Sequence, residues 1–311
     1  MAISPPKSCE HPLSPGTGSF LISLNGATGE ERWRTPIDFS QLTAPVVGFD
    51  GTIYFAERHG SGTGSLLAID PESGERLWAS PPRTDIGGRI VIGEDGTLFA
   101  GTTAIDWATG KIKWRLNLDV QSAQLVLGSD QTLYISSGDF VYAVDSTAGA
   151  LKWSRDLGEQ NTLGYGRSMA VTDDQVLYVQ THEGILMLGA ANGETLGDIP
   201  YGFENSQSFS DVSLTLTKDR VLYAKGHNRV VAFSVSSGPS ELGWPMDGLH
   251  SRRTYSRERR GAPAIVSISP HQPLLEGSFA TLAVLAAGDR RERSRNLTMP
   301  PCSDLLIFQA S

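Results

Sequence analysis

Residues 141–153 read VYAVDSTAGALKW, and the same pattern recurs along the chain. LISLNGATGEERW ends at Trp33, LLAIDPESGERLW at Trp78 and TTAIDWATGKIKW at Trp114. A fifth copy, ILMLGAANGETLG, carries Gly197 where the others carry Trp, and a sixth, VVAFSVSSG, is followed by a displaced Trp244. The turn glycines are Gly29, Gly74, Gly110, Gly149, Gly193 and Gly238, with spacings of 45, 36, 39, 44 and 45 residues. That is the period of a four-stranded propeller blade.

A second motif lies between the copies: an Asp followed four residues later by an aromatic. The pairs are Asp50–Tyr54, Asp95–Phe99, Asp130–Tyr134, Asp174–Tyr178 and Asp219–Tyr223. In the last three units the aromatic precedes the turn glycine by 15 residues; a Gly-rich insertion, RHGSGTG, widens the first gap to 20 and the second gap is 11. Short apolar runs such as APVVGF and RIVIGE precede the Asp motif. Each unit therefore reads as strand, turn, strand, loop, strand, turn, strand.

The turn chemistry is readable. Asn25, Asp70, Asp106 and Asp145 stand four residues before the glycine. Such side chains accept hydrogen bonds from the backbone N–H groups just ahead and hold the turn. The glycine supplies positive φ without steric cost. The strand that follows ends in Trp, whose flat ring can fill the gap between blades and whose indole N–H can reach a carbonyl of the next blade. A feature repeated in every unit serves a repeated structural need, so Trp33, Trp78, Trp114 and Trp153 are read with Gly29, Gly74, Gly110, Gly149, Asp70, Asp106 and Asp145 as a docking motif.

The pattern A-x-D-x-x-T-G-x-x-x-W resembles the tryptophan-docking motif of quinoprotein (PQQ-type) β-propellers, over roughly residues 16–250. That family contains alcohol and glucose dehydrogenases and non-catalytic outer-membrane assembly lipoproteins. The resemblance implies an all-β propeller of four-stranded antiparallel blades. Six blades are expected, the terminal one shared by both chain ends; a fragment of a seven- or eight-bladed ring is the alternative. Complete units fall at about 43–82, 88–118, 122–157, 168–200 and 211–245, while 16–38 supplies only the last two strands of a blade. GAPAIVSIS and TLAVLAAGD, near 261–289, are the expected complement of that half-blade. The expected organisation is a disordered segment at 1–15, a propeller at 16–289 containing a basic linker-like stretch at 251–260, and a poorly ordered tail at 290–311.

Composition bounds the partners. Hydrophobic residues make up 39% and the net charge is −8, which fits a globular chain and argues against a general nucleic-acid binder. No apolar stretch is long enough for a membrane helix. The N-terminal MAISPPKSCEHPLSPG has no apolar core of a signal peptide. The family resemblance implies a periplasmic or extracellular location, and the sequence leaves the cytoplasm open. A monomer is expected.

A PQQ enzyme needs oxygen ligands converging on calcium and an acidic base in the channel. The chain has no adjacent cysteines and no C-x-x-C-H; Cys9 and Cys302 lie near opposite ends, and their pairing stays open. His11, His59, His182, His227, His250 and His271 form no H-x-H or H-x-x-x-H pair. Asp119, Glu204 and Asp211 stand outside the repeat and read as surface charge or polar lining. Gly164–Ser168 reads as a Gly-rich loop, Arg58–His59 as a hairpin tip, and Tyr201, Phe203 and Phe209 as loop aromatics. No catalytic, cofactor-binding or metal-binding residue is assigned. The expectation is a binding scaffold without cofactor, for a protein or small-molecule partner, in the bacterial cell envelope. The alternative is a degenerate or truncated dehydrogenase using PQQ with calcium.

Overall fold

Each unit marked by the repeat folds as a small antiparallel sheet. The computed structural model describes residues 19–26, 28–37, 41–58, 64–82, 86, 89–118, 120, 123–158, 166–181, 183–200, 213–225, 230–240 and 243–246, with backbone strands at 280–284, 295–299 and 306–309. Among these residues the structure is all β, without a helix.

The first two strands are β1 (Ser19–Asn25) and β2 (Glu31–Ile37). The next sheet holds β3 (Gln41–Leu42), β4 (Val46–Val47), β5 (Ile53–Arg58), β6 (Gly64–Ile69) and β7 (Arg76–Ala79). β3 and β4 both pair with β5, as two pieces of one interrupted innermost strand. Three four-stranded sheets follow in simple order. They are β8 (Ile90–Ile92), β9 (Leu98–Ala100), β10 (Thr103–Ile105) and β11 (Ile112–Arg115); β12 (Gln124–Leu127), β13 (Thr132–Ser137), β14 (Phe140–Asp145) and β15 (Leu151–Asp156); and β16 (Met169–Val171), β17 (Val176–Gln180), β18 (Gly184–Gly189) and β19 (Thr195–Pro200). A three-stranded sheet closes the series, with β20 (Ser213–Leu216), β21 (Val221–Lys225) and β22 (Val230–Ser234).

Neighbouring sheets meet through their first strands: β8 lies beside β12, β12 beside β16 and β16 beside β20. First strands therefore line an axis and last strands face outward, as in a propeller. Burial follows this plan. β6 and β13 are buried along their whole length, whereas β7 and β11 keep only their Trp half-buried. The core is a set of layers between blades. One of them joins Tyr54, Ala68, Phe99, Ala104, Leu127 and Leu133.

Two details differ from the sequence reading. The 211–245 unit makes three strands, not four, among the described residues, because the chain after Val235 turns toward the axis. Trp244 consequently occupies no outer strand; it bridges Leu127 of β12. The strand beside β1 is β25 (Leu306–Gln309), running parallel, while β23 (Ala280–Val284) pairs, among the described residues, with β24 (Arg295–Met299) alone. The sequence had placed the complement of β1 near 261–289. The apolar run Leu306–Phe308 satisfies the open edge of β1 instead, and an open edge is a liability that a strand of any register can cover. Both chain ends do enter one sheet. The segments expected at 1–15 and 251–260 lie outside the described residues.

Candidate functional site: the tryptophan-docked blade junctions

The docking residues are positioned by strand register. Within a blade they form a straight cross-strand row: Val46, Tyr54, Ala68 and Trp78 face one another on β4 to β7. The same row recurs as Val91, Phe99, Ala104 and Trp114, and as Val126, Tyr134, Ala143 and Trp153. The alanine leaves room for the two rings to meet across it. Ring centroids are 5.8 Å apart for Tyr54–Trp78 and for Phe99–Trp114, and 6.0 Å for Tyr134–Trp153, all tilted. Tilted pairs at this spacing suit the ring quadrupoles.

A bulge aims the indole. The register slips by one just after each row, between Ser23 and Leu24, Ala68 and Ile69, Ala104 and Ile105, Ala143 and Val144, and Met187 and Leu188. The extra residue is the one before the Trp position, so Arg32, Leu77, Lys113, Lys152 and Leu196 are unpaired. Such a bulge re-aims the side chain that follows it. Two of the extra residues find a partner inward: Lys113 Nζ reaches Asp95 Oδ2 at 3.0 Å and Thr97 Oγ1 at 2.6 Å, and Lys152 Nζ reaches Thr132 Oγ1 at 2.6 Å.

Each indole then crosses to the next blade. Trp33 Nε1 donates to Pro71 O at 2.9 Å, Trp78 to Trp107 O at 3.0 Å, Trp114 to Ser146 O at 2.9 Å and Trp153 to Ala190 O at 3.0 Å. The acceptor is always three residues before the next turn glycine. That glycine lies under the ring. A Cβ at Gly74, Gly110, Gly149 or Gly193 would stand 2.5 to 2.8 Å from the nearest atom of Trp33, Trp78, Trp114 or Trp153 respectively, and all four have φ near +70°. The glycine thus meets two demands, a left-handed backbone and a ring at van der Waals distance. Trp33 is buried, and the other three indoles are half-buried. Tyr54 and Tyr134 hydroxyls donate to the same carbonyls as their neighbouring indoles, Trp107 O and Ala190 O. Burial pushes both phenols well above their ordinary value, so they stay protonated and able to donate.

The turns carry the expected acids. Asp70 Oδ1 accepts from Glu72 N at 2.9 Å and Ser73 N at 2.8 Å, and Asp145 Oδ1 from Thr147 N at 2.9 Å and Ala148 N at 2.8 Å. Asp106 Oδ1 accepts from Thr109 N at 2.9 Å and Thr109 Oγ1 at 2.6 Å. These bonds hold all three carboxyls below the usual carboxylate range: the Ser73 N–H for Asp70, the Thr109 hydroxyl for Asp106 and the Ala148 N–H for Asp145. Gly29 also has positive φ, at +75°, and Asn25 Oδ1 accepts from Thr28 N at 3.3 Å.

The other turn, at the Asp–aromatic motif, is built in two ways. In the first three blades Asp50, Asp95 and Asp130 each accept from the N–H and hydroxyl of Thr52, Thr97 or Thr132, and Gly48, Gly93 or Gly128 leaves room for the carboxylate. In the last two, Thr172 and Thr217 replace that glycine, and their hydroxyls accept from Val176 N and Val221 N. The residue after the Asp has positive φ in all five, at Gly51, Gly96, Gln131, Gln175 and Arg220.

Other expectations meet the structure as follows. The sequence leaves position 197 as a gap in the fifth row. The row there reads Tyr178, Met187, Gly197, and the Met187 side chain comes within 2.7 Å of where a Cβ of residue 197 would be. Met has moved into the middle position and fills the space an indole takes elsewhere. Gly238, in the sixth copy, does not have the positive φ of the other turn glycines; it packs on the carbonyls of Thr217 and Lys218. The Gly-rich loop before β16 hides Arg167, which is fully buried. Its Nη2 meets Asp139 Oδ1 at 3.2 Å, its Nε donates to Gly138 O at 3.3 Å, and its backbone N–H donates to Ser136 Oγ at 2.9 Å. Nothing in its composition distinguished this arginine from a surface charge. The side-chain amide of Gln180, also fully buried, has no hydrogen-bond partner among the described residues. All six histidines, both cysteines, Asp119, Glu204, Asp211, Tyr201, Phe203 and Phe209 lie outside the described residues. Among the described residues no cluster of His, Cys, Asp and Glu has the makings of a metal site, and no helix is long and apolar enough to cross a membrane.

The chain is matched by a family model, described as outer membrane protein assembly factor BamB, over residues 13–80 and 62–260. The chain belongs to this family. The outer membrane protein assembly factor BamB of Burkholderia pseudomallei (strain K96243) is 32% identical over 110 residues, covering 32% of this chain and 28% of that protein. The aligned stretch thus spans well under half of that BamB relative. The crystal structure of BamB from Moraxella catarrhalis superposes with a TM-score of 0.51 at 16% identity, over 88% of this chain and 82% of that one. At that identity the likeness is one of fold, a β-propeller with PQQ-like repeats.

Proposed function

We propose that the protein is a non-catalytic propeller scaffold of the bacterial cell envelope, acting through protein contacts in the assembly of outer-membrane proteins. The observation that carries this reading is the use of the repeated motif. Trp33, Trp78, Trp114, Trp153, Gly74, Gly110, Gly149, Asp70, Asp106 and Asp145 are engaged in blade-to-blade or turn contacts, which supports a structural docking role for them with loops and rim left for partners. The BamB family match over most of the chain supports the assembly role. The envelope location, a monomeric propeller spanning 16–289 and the absence of a PQQ–calcium cofactor belong to the same reading.

The test is genetic and biochemical. Deleting the gene should lower the amount of β-barrel protein in the outer membrane and sensitise cells to large antibiotics, and the wild-type chain should restore both. Unchanged barrel levels, or the chain fractionating with cytosolic proteins, would overturn the proposal. Calorimetric titration with PQQ and calcium should give no complex. A stoichiometric complex of micromolar affinity or better would favour a quinoprotein dehydrogenase instead.

A further inference from the structure

The chain leaving β22 does not continue as an outer strand. The Gly238 carbonyl accepts from Asp173 N at 3.0 Å, and Gly243–Met246 then runs across the inner strands of several blades. Leu127 and Trp244 exchange both backbone hydrogen bonds, at 2.8 and 2.7 Å, and Val171 N donates to Pro245 O at 2.8 Å. Leu216 N contacts Met246 Sδ at 3.3 Å, and Gly243 N donates to Glu94 Oε1 at 3.3 Å. The partners belong to, or adjoin, β12, β16, β20 and β8, which are the first strands of four successive blades.

The direction of these bonds fixes where the segment lies. In their own sheets β12 and β16 have a neighbour on one side only, β13 and β17. The bonds to Trp244 and Pro245 use the other edges, which face the axis. Leu127 and Val171 are the last residues of their strands, so the segment sits at the end that carries the Asp–aromatic turns. Each residue suits the place. Gly243 has φ +79°, and a Cβ there would stand 2.4 Å from Leu127 O. Pro245 brings no N–H that would need a partner in the channel. Trp244 is 1% exposed and Met246 0%, and the two side chains extend two different blade-junction cores.

We propose that residues 243–246 are a built-in plug, sealing the axial channel at the Asp-turn mouth, so that ligands and partners reach this ring only at its other mouth or on its rim. Among the described residues the segment ties the inner edges of four blades together at that end.

The test uses the full chain in a Cys9→Ser, Cys302→Ser background. Ala170 and Met246 are bridge partners, and the Val171 N to Pro245 O bond makes them a non-hydrogen-bonded pair. Such pairs have Cα atoms about 4.5 Å apart, within the reach of a disulfide. Ala170→Cys with Met246→Cys should therefore cross-link nearly completely on mild oxidation, with an unchanged β-sheet circular dichroism spectrum. In the second arm, Ala170→Cys alone reports access. It should resist a maleimide reagent under native conditions, and adding Trp244→Ser and Met246→Ser should speed labelling by about tenfold or more, since local opening then governs access. Absence of the cross-link, or rapid labelling of Ala170→Cys with the segment intact, overturns the plug. If the serine variant fails to fold, the cross-link and the single-cysteine rate decide. Neither arm uses a partner protein, so its outcome is separate from that of the functional reading.

Discussion

The indole of Trp114 lies over Gly149, with Cδ2 only 2.7 Å from where a Cβ of residue 149 would be. Gly138 has a similar φ, +57° against +69°, but nothing within 4 Å of its Cβ position. The pair separates backbone strain from contact with the ring. Gly138→Ala should cost about 1 kcal/mol, the penalty of an L-residue in the left-handed region. Gly149→Ala should cost clearly more, because the ring must also move. Denaturant unfolding of the two variants checks this, and equal losses would remove the indole contact from the account.

Trp114 contributes both surface and a hydrogen bond. Trp114→Phe keeps most of the ring but leaves Ser146 O without its 2.9 Å donor, a loss of about 1 kcal/mol. Trp114→Ala should lose about 3 kcal/mol, the low end for a large aromatic because the ring is half-buried. Chemical denaturation should rank the variants in that order.

The fifth row predicts coupling. Gly197→Trp alone should destabilise, since Met187 already fills the site. Gly197→Trp together with Met187→Ala recreates the Tyr–Ala–Trp row and should be more stable than the sum of the single changes by about 1 kcal/mol or more. A double-mutant cycle measures the difference, and simple additivity would show that the row is not a unit.

Asp145 gives a pH signature. Its carboxyl is held below the ordinary value, first by the Ala148 N–H. A depressed folded-state pKa stabilises above the unfolded value, near 3.9, and that contribution fades as pH falls through the folded value. Asp145→Asn keeps an acceptor oxygen but does not titrate. Its Tm should lie below wild type at neutral pH, with the gap narrowing below about pH 4. A gap independent of pH would assign the turn's stability to shape alone.

The side-chain amide of Gln180 is buried and has no partner among the described residues. Burying such a group costs about 1–3 kcal/mol, so Gln180→Met, similar in volume and apolar, should raise Tm. A lowered Tm would mean that the amide has a partner in solution.

Much of this was legible in the chain. Gly74, Gly110, Gly149 and the four tryptophans stand at fixed offsets, and a repeated glycine before a repeated aromatic points to a turn and a packing contact. Hydrogen-bond register was not legible. It takes the pairing of β6 with β7 to see that Ala68 lies between Tyr54 and Trp78, and the pairing of β18 with β19 to see Met187 standing in for an indole at 197. Trp244 was misplaced for a related reason. Its distance from VVAFSVSSG suggests a delayed outer strand, while its real partners, Leu127 and the turn beside it, lie more than a hundred residues earlier. Arg167 gave no signal, because burial of a cation depends on Asp139 and Gly138 folding back over it.

The indole contact has a direction. Trp33, Trp78, Trp114 and Trp153 each give a ring to the following blade, which receives it at Gly74, Gly110, Gly149 and Gly193. The sequence of givers stops at Gly197, and at the opposite end Gly29 has the receiving geometry with no described atom above it. Such a head-to-tail series behaves like a one-way chain of couplings. It can be lengthened by inserting a whole donor–acceptor blade between any two members, but in this chain it stops at Gly197, which has no indole to give. Whatever joins the two ends of the array must use a different bond.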